Sequence, residues 1–236
     1  MIRTTRRTAS GLVVVGSQEP NILHLPESDP KLGSAGQEVV ELAAMAGLML
    51  DPWQAGFIAE ACTYRKETFY NPYTDRIEHK WAARDVGLMI SRQNGKGSIL
   101  EARELAGLFL FGERLITHSA HQFDTSVEAF ERIMFLIENT PDFDKEVATV
   151  SRSHGTEGIT LRRKEVYRAD GTKELRPAQR LKFRTRTKGG GRGFTGDCLV
   201  LDEAMILEML QIRALMPTLS ARPNPQLWYT GSAGDR

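Results

Sequence analysis

Residues 85–111, DVGLMISRQNGKGSILEARELAGLFLF, run from a short apolar stretch through a glycine-containing loop directly into a helical pattern. That junction constrains the fold more than any other feature. A buried strand that turns straight into a helix cannot pair with its predecessor as a hairpin, so the next strand must return through a crossover. The unit recurs. DVGLMIS (85–91) reads as a buried strand and KGSILEARELAGLFLF (96–111) as its helix. RLITHSA (114–120) reads as the next strand, and HQFDTSVEAFERIMFLIEN (121–139) as a helix stopped at Thr140-Pro141. CLVLDEA (198–204) and QLWYTGSAG (226–234) read as strands flanking a helical MILEMLQIRALMPTLSA (205–221). Alternation of this kind predicts an α/β fold with a mostly parallel central sheet and helices on both faces.

The remaining segments fit around that frame. QEVVELAAMAGLML (37–50) and DPWQAGFIAEACTY (51–64) read as two helices, the second entered through Asp-Pro. Between about 145 and 190, EVATVSR, GITLRRK and RLKFRTR alternate like short strands, with a turn at Asp170-Gly171. Residues 1–36 are expected to be an extended lead-in, beginning with a basic tail, and residues 37–236 one domain. A chain of 236 residues that is 41% hydrophobic can bury a core of that size. Its net charge of +1 confines any nucleic-acid affinity to local patches. Cys62 and Cys198 lie far apart without CxxC spacing, which argues against a disulfide framework or a zinc site. His118 and His121 lack further ligands nearby, which argues against zinc, and are expected either near moving parts of the molecule or in ordinary polar contacts. No apolar run reaches the ~18 residues of a membrane helix.

SRQNGKGS (91–98) has the chemistry of an anion site. Backbone N–H groups of a tight loop and a helix N-terminus converge, and Lys96 stands where its ammonium can reach β- and γ-phosphate oxygens. Arg92 adds a second cation with fork geometry. The loop departs from GxxxxGK[ST] at Ile90 and at Gly97, and alone it also reads as a structural strand-to-helix turn. The second half of the case is LVLDEA (199–204), which carries Asp202 and Glu203 at the carboxyl end of a strand, where open parallel sheets bind ligands. Asp202 is a candidate magnesium ligand and Glu203 a candidate base for an attacking water. The competing reading of the pair is a helix N-terminus favouring acids.

Together with YTGSA (229–233), these motifs resemble the ATPase domain of the large terminase subunit of tailed bacteriophages, the motor that packages DNA into procapsids. The resemblance runs from about residue 50 to the end of the chain. It implies a P-loop NTPase of the additional-strand catalytic-glutamate type, with ATP and Mg²⁺ as cofactors. Ser91, Arg92, Gln93, Asn94, Gly95, Lys96, Gly97 and Ser98 would hold the nucleotide, and Gln54 in LDPWQ (50–54) would read the adenine edge with Trp53 packed nearby. Lys96 and Arg92 would clamp the phosphates, Asp202 would hold the metal and Glu203 would activate water. Arg192 in GGGRGFTGD (189–197) would act in trans on a neighbouring subunit's γ-phosphate, and Thr230, Gly231 and Ser232 would couple hydrolysis to movement. Because Gly97 lacks the usual hydroxyl, Ser98 or a water would take its place at the metal, giving retained but magnesium-sensitive hydrolysis.

The implied partners are double-stranded DNA, the portal protein of the procapsid, the small terminase subunit and further copies of the chain. Those copies would form a ring, a pentamer on the portal, with a monomer in isolation left open. The implied location is the host cytoplasm at the portal. A metal-dependent nuclease domain would follow residue 236, so the chain is expected to be a fragment without nuclease activity. RPAQRLKFRTRTKGGGR (176–192) has seven Lys or Arg and no acid, and with LRRK (161–164) it suits backbone contact with DNA or a solvated strand edge. Two other readings remain: a helicase-like DNA translocase, and a nucleotide-binding assembly module with little hydrolysis, which Gly97 favours.

Overall fold

The computed structural model describes residues 19–155, 157–167, 171–186, 196–207, 219 and 221–233, and the backbone of 5–7 and 13–15. Strands β1 (Thr5–Arg7) and β2 (Val13–Val15) pair antiparallel within the lead-in. Helices α1 (Gly36–Met45) and α2 (Pro52–Ala61) follow. The helical pattern predicted to 50 stops earlier because Gly47 adopts a left-handed φ of 81°. Its N–H and that of Leu48 turn back to the Ala44 and Ala43 carbonyls, at 2.9 Å each, which closes the helix end.

Strands β3 (Tyr64–Asn71) and β4 (Arg76–Trp81) form an antiparallel hairpin that the sequence reading did not assign. Most of β3 is solvent-exposed, so its residues show no clean apolar alternation to betray a strand. Then come β5 (Asp85–Ile90), α3 (Lys96–Phe109), β6 (Leu115–Ala120), α4 (Phe123–Glu138) and the single-turn α5 (Pro141–Asp144). The 145–190 region resolves into β7 (Val147–Ser151), β8 (Gly158–Leu161), β9 (Glu165–Tyr167), β10 (Lys173–Leu175) and β11 (Arg180–Thr185). Strands β12 (Cys198–Leu201) and β13 (Gln226–Ser232) complete the chain. Between them, the helix predicted from 205 does not start there. Ala204–Ile206 form one 3₁₀ turn and Leu207 is extended, while 208–218 lie outside the described residues.

The central sheet has seven strands in the order β5-β13-β12-β6-β11-β8-β7. The first five run parallel, and β8 and β7 add an antiparallel edge. Strand β13 therefore stands between the strand that ends in the glycine loop and the strand that ends in the carboxylates. This is the additional-strand arrangement, and it sets both motifs at the carboxyl rim of one sheet. Alternation along β12 divides the packing. Cys198 and Val200 face the core built with α1–α4, whereas Leu199 and Leu201 pack with Leu227 and Leu219 on the other face.

A charge pair, Arg103–Glu113, is buried in the core. Arg103 of α3 is fully buried and binds Glu113 through both terminal nitrogens, at 2.9 and 2.6 Å. Its Nε donates to Gln226 Oε1 at 3.0 Å, an oxygen that also accepts from the Trp228 indole at 2.8 Å. The guanidinium lies 5.1 to 5.9 Å from the rings of Phe111, Trp81 and Trp228. The two cysteines are free and buried. Burial pushes the Cys62 thiol up to about 12 and also raises that of Cys198, so both behave as inert core residues. Among the described residues no helix is long and apolar enough to cross a membrane.

Candidate nucleotide site at the carboxyl rim of the sheet

The loop 91–95 leaves β5 and enters α3 through two residues of positive φ, Gln93 at 59° and Gly95 at 78°. Gly95 is needed twice over. A side chain there would be strained by φ, and its Cβ would lie 2.5 Å from Gln54 Nε2. Gln54 comes that close because it ties α2 to the loop: Nε2 donates to the Gly95 carbonyl at 2.9 Å and Oε1 accepts from the Asp51 N–H at 2.6 Å. The structure thus brings Gln54 to the loop, but its described contacts are with backbone. Asn94 Nδ2 donates to the Ser91 carbonyl at 3.3 Å, and residues 91–95 are otherwise exposed, Arg92 included.

Lys96, the first residue of α3, extends across the rim to Asp202, with Nζ 2.5 Å from Oδ1. The same oxygen accepts from Thr230 Oγ1 at 2.7 Å and from the Glu203 N–H at 2.8 Å. Three expected site elements thus meet on one carboxylate atom, and Oδ2 takes none of these contacts. Burial pushes the Asp202 carboxyl up, but the Lys96 ammonium and the Thr230 hydroxyl outweigh it, and the group sits below the usual carboxylate range. Glu203, half-buried, has a left-handed backbone at φ 53°, ψ 47°. For a residue with a Cβ that conformation costs on the order of 1–2 kcal/mol, so neighbouring contacts must hold it.

Arg186, just past β11, is one such contact. Its Nη1 donates to the Ser119 carbonyl at 2.8 Å, and Nη2 donates to those of Asp202 at 2.5 Å and Glu203 at 3.2 Å. The residue is 8% exposed. Sequence reasoning grouped it with the cations of 176–192, because charge density alone does not show which member turns inward. By contrast, alternate residues Arg180, Lys182 and Arg184 share one face of β11. Arg192, expected to act in trans, lies with its neighbours 187–195 outside the described residues.

Two acid–base pairs beneath the loop were also missed. Glu101 and Glu104, buried on α3, bind Arg132 Nε and His118 Nδ1, at 2.5 and 2.6 Å. The expectation of ordinary polar contacts for His118 is met by Glu104. A Cβ on Gly97 would lie 3.3 Å from Glu101 Oε1 and 3.7 Å from the Arg132 guanidinium carbon, so this pair borders the space a side chain at 97 would enter. Helical spacing from 97 to 101 could have signalled it. Ser98 is half-buried in the first turn of α3. On β13, Thr230 and Ser232 pair with Leu88 and Ile90 of β5, with Gly231 between them. A cavity of about 530 Å³ walled by Tyr64, Trp81, Phe111 and Arg114 opens elsewhere, and none of these rim residues line it.

No family model and no curated protein matches the chain. Solved structures do match. The HK97 bacteriophage large terminase aligns with a TM-score of 0.57 at 18% identity, over 84% of this chain and 38% of that one. The large terminase ATPase domain of Thermus phage P74-26 aligns with a TM-score of 0.50 at 20% identity, over 73% of this chain and 67% of that one. A point mutant of the same domain aligns equally well, at 0.50 and 19%. The chain has the fold seen in phage large terminase ATPase domains, and its match spans 38% of the HK97 protein.

Proposed function

We propose that the chain is the ATP-hydrolysing motor domain of a viral large terminase, driving double-stranded DNA into a procapsid in the host cytoplasm. The observation that carries this reading is the convergence of Lys96 and Thr230 on Asp202, at 2.5 and 2.7 Å, within the fold of terminase ATPase domains. It supports a site that joins phosphate loop, acidic strand and coupling strand. Lys96 and Arg92 hold the β- and γ-phosphates, and the loop N–H groups complete the cradle. Gln54 keeps its second amide N–H for the base edge, since one is spent on Gly95. Glu203 takes the proton of the attacking water.

Asp202 and Ser98 would hold the ion: a carboxylate and a hydroxyl are hard oxygens of the kind Mg²⁺ prefers, and Asp202 Oδ2 is clear of the three contacts that Oδ1 collects. Held there with the nucleotide, Mg²⁺ would supply neutralisation of the negative charge on the phosphates. Gly97→Ser is expected to tighten the apparent Mg²⁺ affinity by about tenfold, the lower end of the scale for ligand-supporting groups. A magnesium titration of nucleotide binding reads it, and an unchanged midpoint removes the metal-ligand account of Gly97.

Arg192 completes the site of a neighbouring copy in a ring. Arg180, Lys182 and Arg184 offer a stripe of cations suited to sequence-independent contact with the DNA backbone. The portal and the small terminase subunit are the further partners. Phosphate release at rising protein concentration, with DNA and with procapsid portal, tests the reading. Turnover per chain should climb with assembly; fast turnover independent of concentration sinks the trans-acting arginine. Gly97 favours a second reading, a nucleotide-dependent assembly module. Triphosphate-dependent oligomerisation without phosphate release identifies it.

A further inference from the structure

We infer that Arg186 is a positioning residue that locks the backbone at Asp202 and Glu203 and so aims the glutamate carboxylate; this rests on the proposed role of Glu203. The guanidinium bridges two strand ends. It draws the Ser119 carbonyl of β6 and the Asp202 and Glu203 carbonyls after β12 onto one planar fork, at 2.5 to 3.2 Å. Arg186 is itself fixed, because its own N–H donates to the Ala120 carbonyl at 3.0 Å. The held carbonyls bracket the left-handed backbone of Glu203, the conformation that sets where its side chain leaves the chain. A lysine ammonium lacks the planar fork and cannot reproduce three such directions. The arginine touches neither carboxylate in these bonds, so its action on the reaction is indirect.

The test uses Arg186→Lys and Arg186→Met in the whole chain, with Glu203→Ala as reference. The expected result is a fall in kcat of between about 10- and 100-fold for Arg186→Met, the scale on which a misplacement near 1 Å acts. Affinity for a non-hydrolysable ATP analogue should stay within about threefold, and Arg186→Lys should recover part of the loss. Combining Arg186→Met with Glu203→Ala should add nothing to Glu203→Ala alone. Hydrogen exchange provides a readout that does not need turnover: protection in 198–207 should fall in Arg186→Met while protection in α3 holds.

Wild-type kcat in Arg186→Met, or unchanged exchange at 198–207, overturns the inference. So does equal loss of protection in α3, which would mean general destabilisation. If Glu203→Ala itself keeps full turnover, the reading of Glu203 fails instead, and the exchange result still decides whether Arg186 holds that backbone.

Discussion

Glu203→Gln is expected to lower ATP turnover by about 10²–10⁴-fold while leaving nucleotide affinity nearly intact. The substitution keeps the shape of the side chain and removes only its capacity to take a proton. The contacts around residue 203 that the structure describes involve backbone: its N–H on Asp202 Oδ1 and its carbonyl on Arg186. An amide side chain leaves these in place. Lys96, the proposed phosphate cation, bonds Asp202 and not Glu203, so triphosphate binding should survive. Single-turnover phosphate release, read beside equilibrium binding of a fluorescent ATP analogue, separates the two effects. Turnover within about threefold of wild type would remove Glu203 from the chemistry.

Arg103→Leu is expected to destabilise the fold by about 3–5 kcal/mol, the cost of breaking a buried pair from one side. The leucine leaves the Glu113 carboxylate buried without its two bonds and takes one donor from Gln226 Oε1, and the rings of Trp81, Phe111 and Trp228 lose their cation. Pairing it with Glu113→Leu should recover much of the loss, because the stranded charge goes with its partner. Urea unfolding measures both. A loss below ~1 kcal/mol for the single variant would show that the pair does not bind α3 to the sheet base.

The strand–loop–helix order and the parallel sheet were legible because parallel strands are short runs rich in apolar residues. Residues 115–120, 198–201 and most of 226–232 are buried as expected, whereas 85–90, expected to be buried, forms the outer strand of the described sheet with Asp85, Gly87 and Met89 exposed. The acids and the lysine were legible because chemistry restricts their spacing to strand and helix ends. What stayed hidden depended on tertiary choice. The β3–β4 hairpin exposes most of β3, so its residues carry no burial pattern. Glu101, Arg103 and Glu104 drew no reading beyond membership of a helix, yet α3 is buried on nearly all sides and each of the three found an opposite charge. Arg186 could not be told from its basic neighbours until the fold turned it toward carbonyl oxygens.

Strand β13 outruns one of its neighbours. Its ladder with β12 ends at Leu201–Tyr229, whereas its ladder with β5 continues through Thr230, Gly231 and Ser232 to Ile90. The tip is therefore stitched along one seam only, to the strand that carries the phosphate loop. Across the open seam, the Thr230 hydroxyl of the tip and the Lys96 ammonium beside the loop both fasten onto Asp202 Oδ1. Loop and tip form one leaf and the acids the other, and the two leaves are clasped at a single carboxylate oxygen.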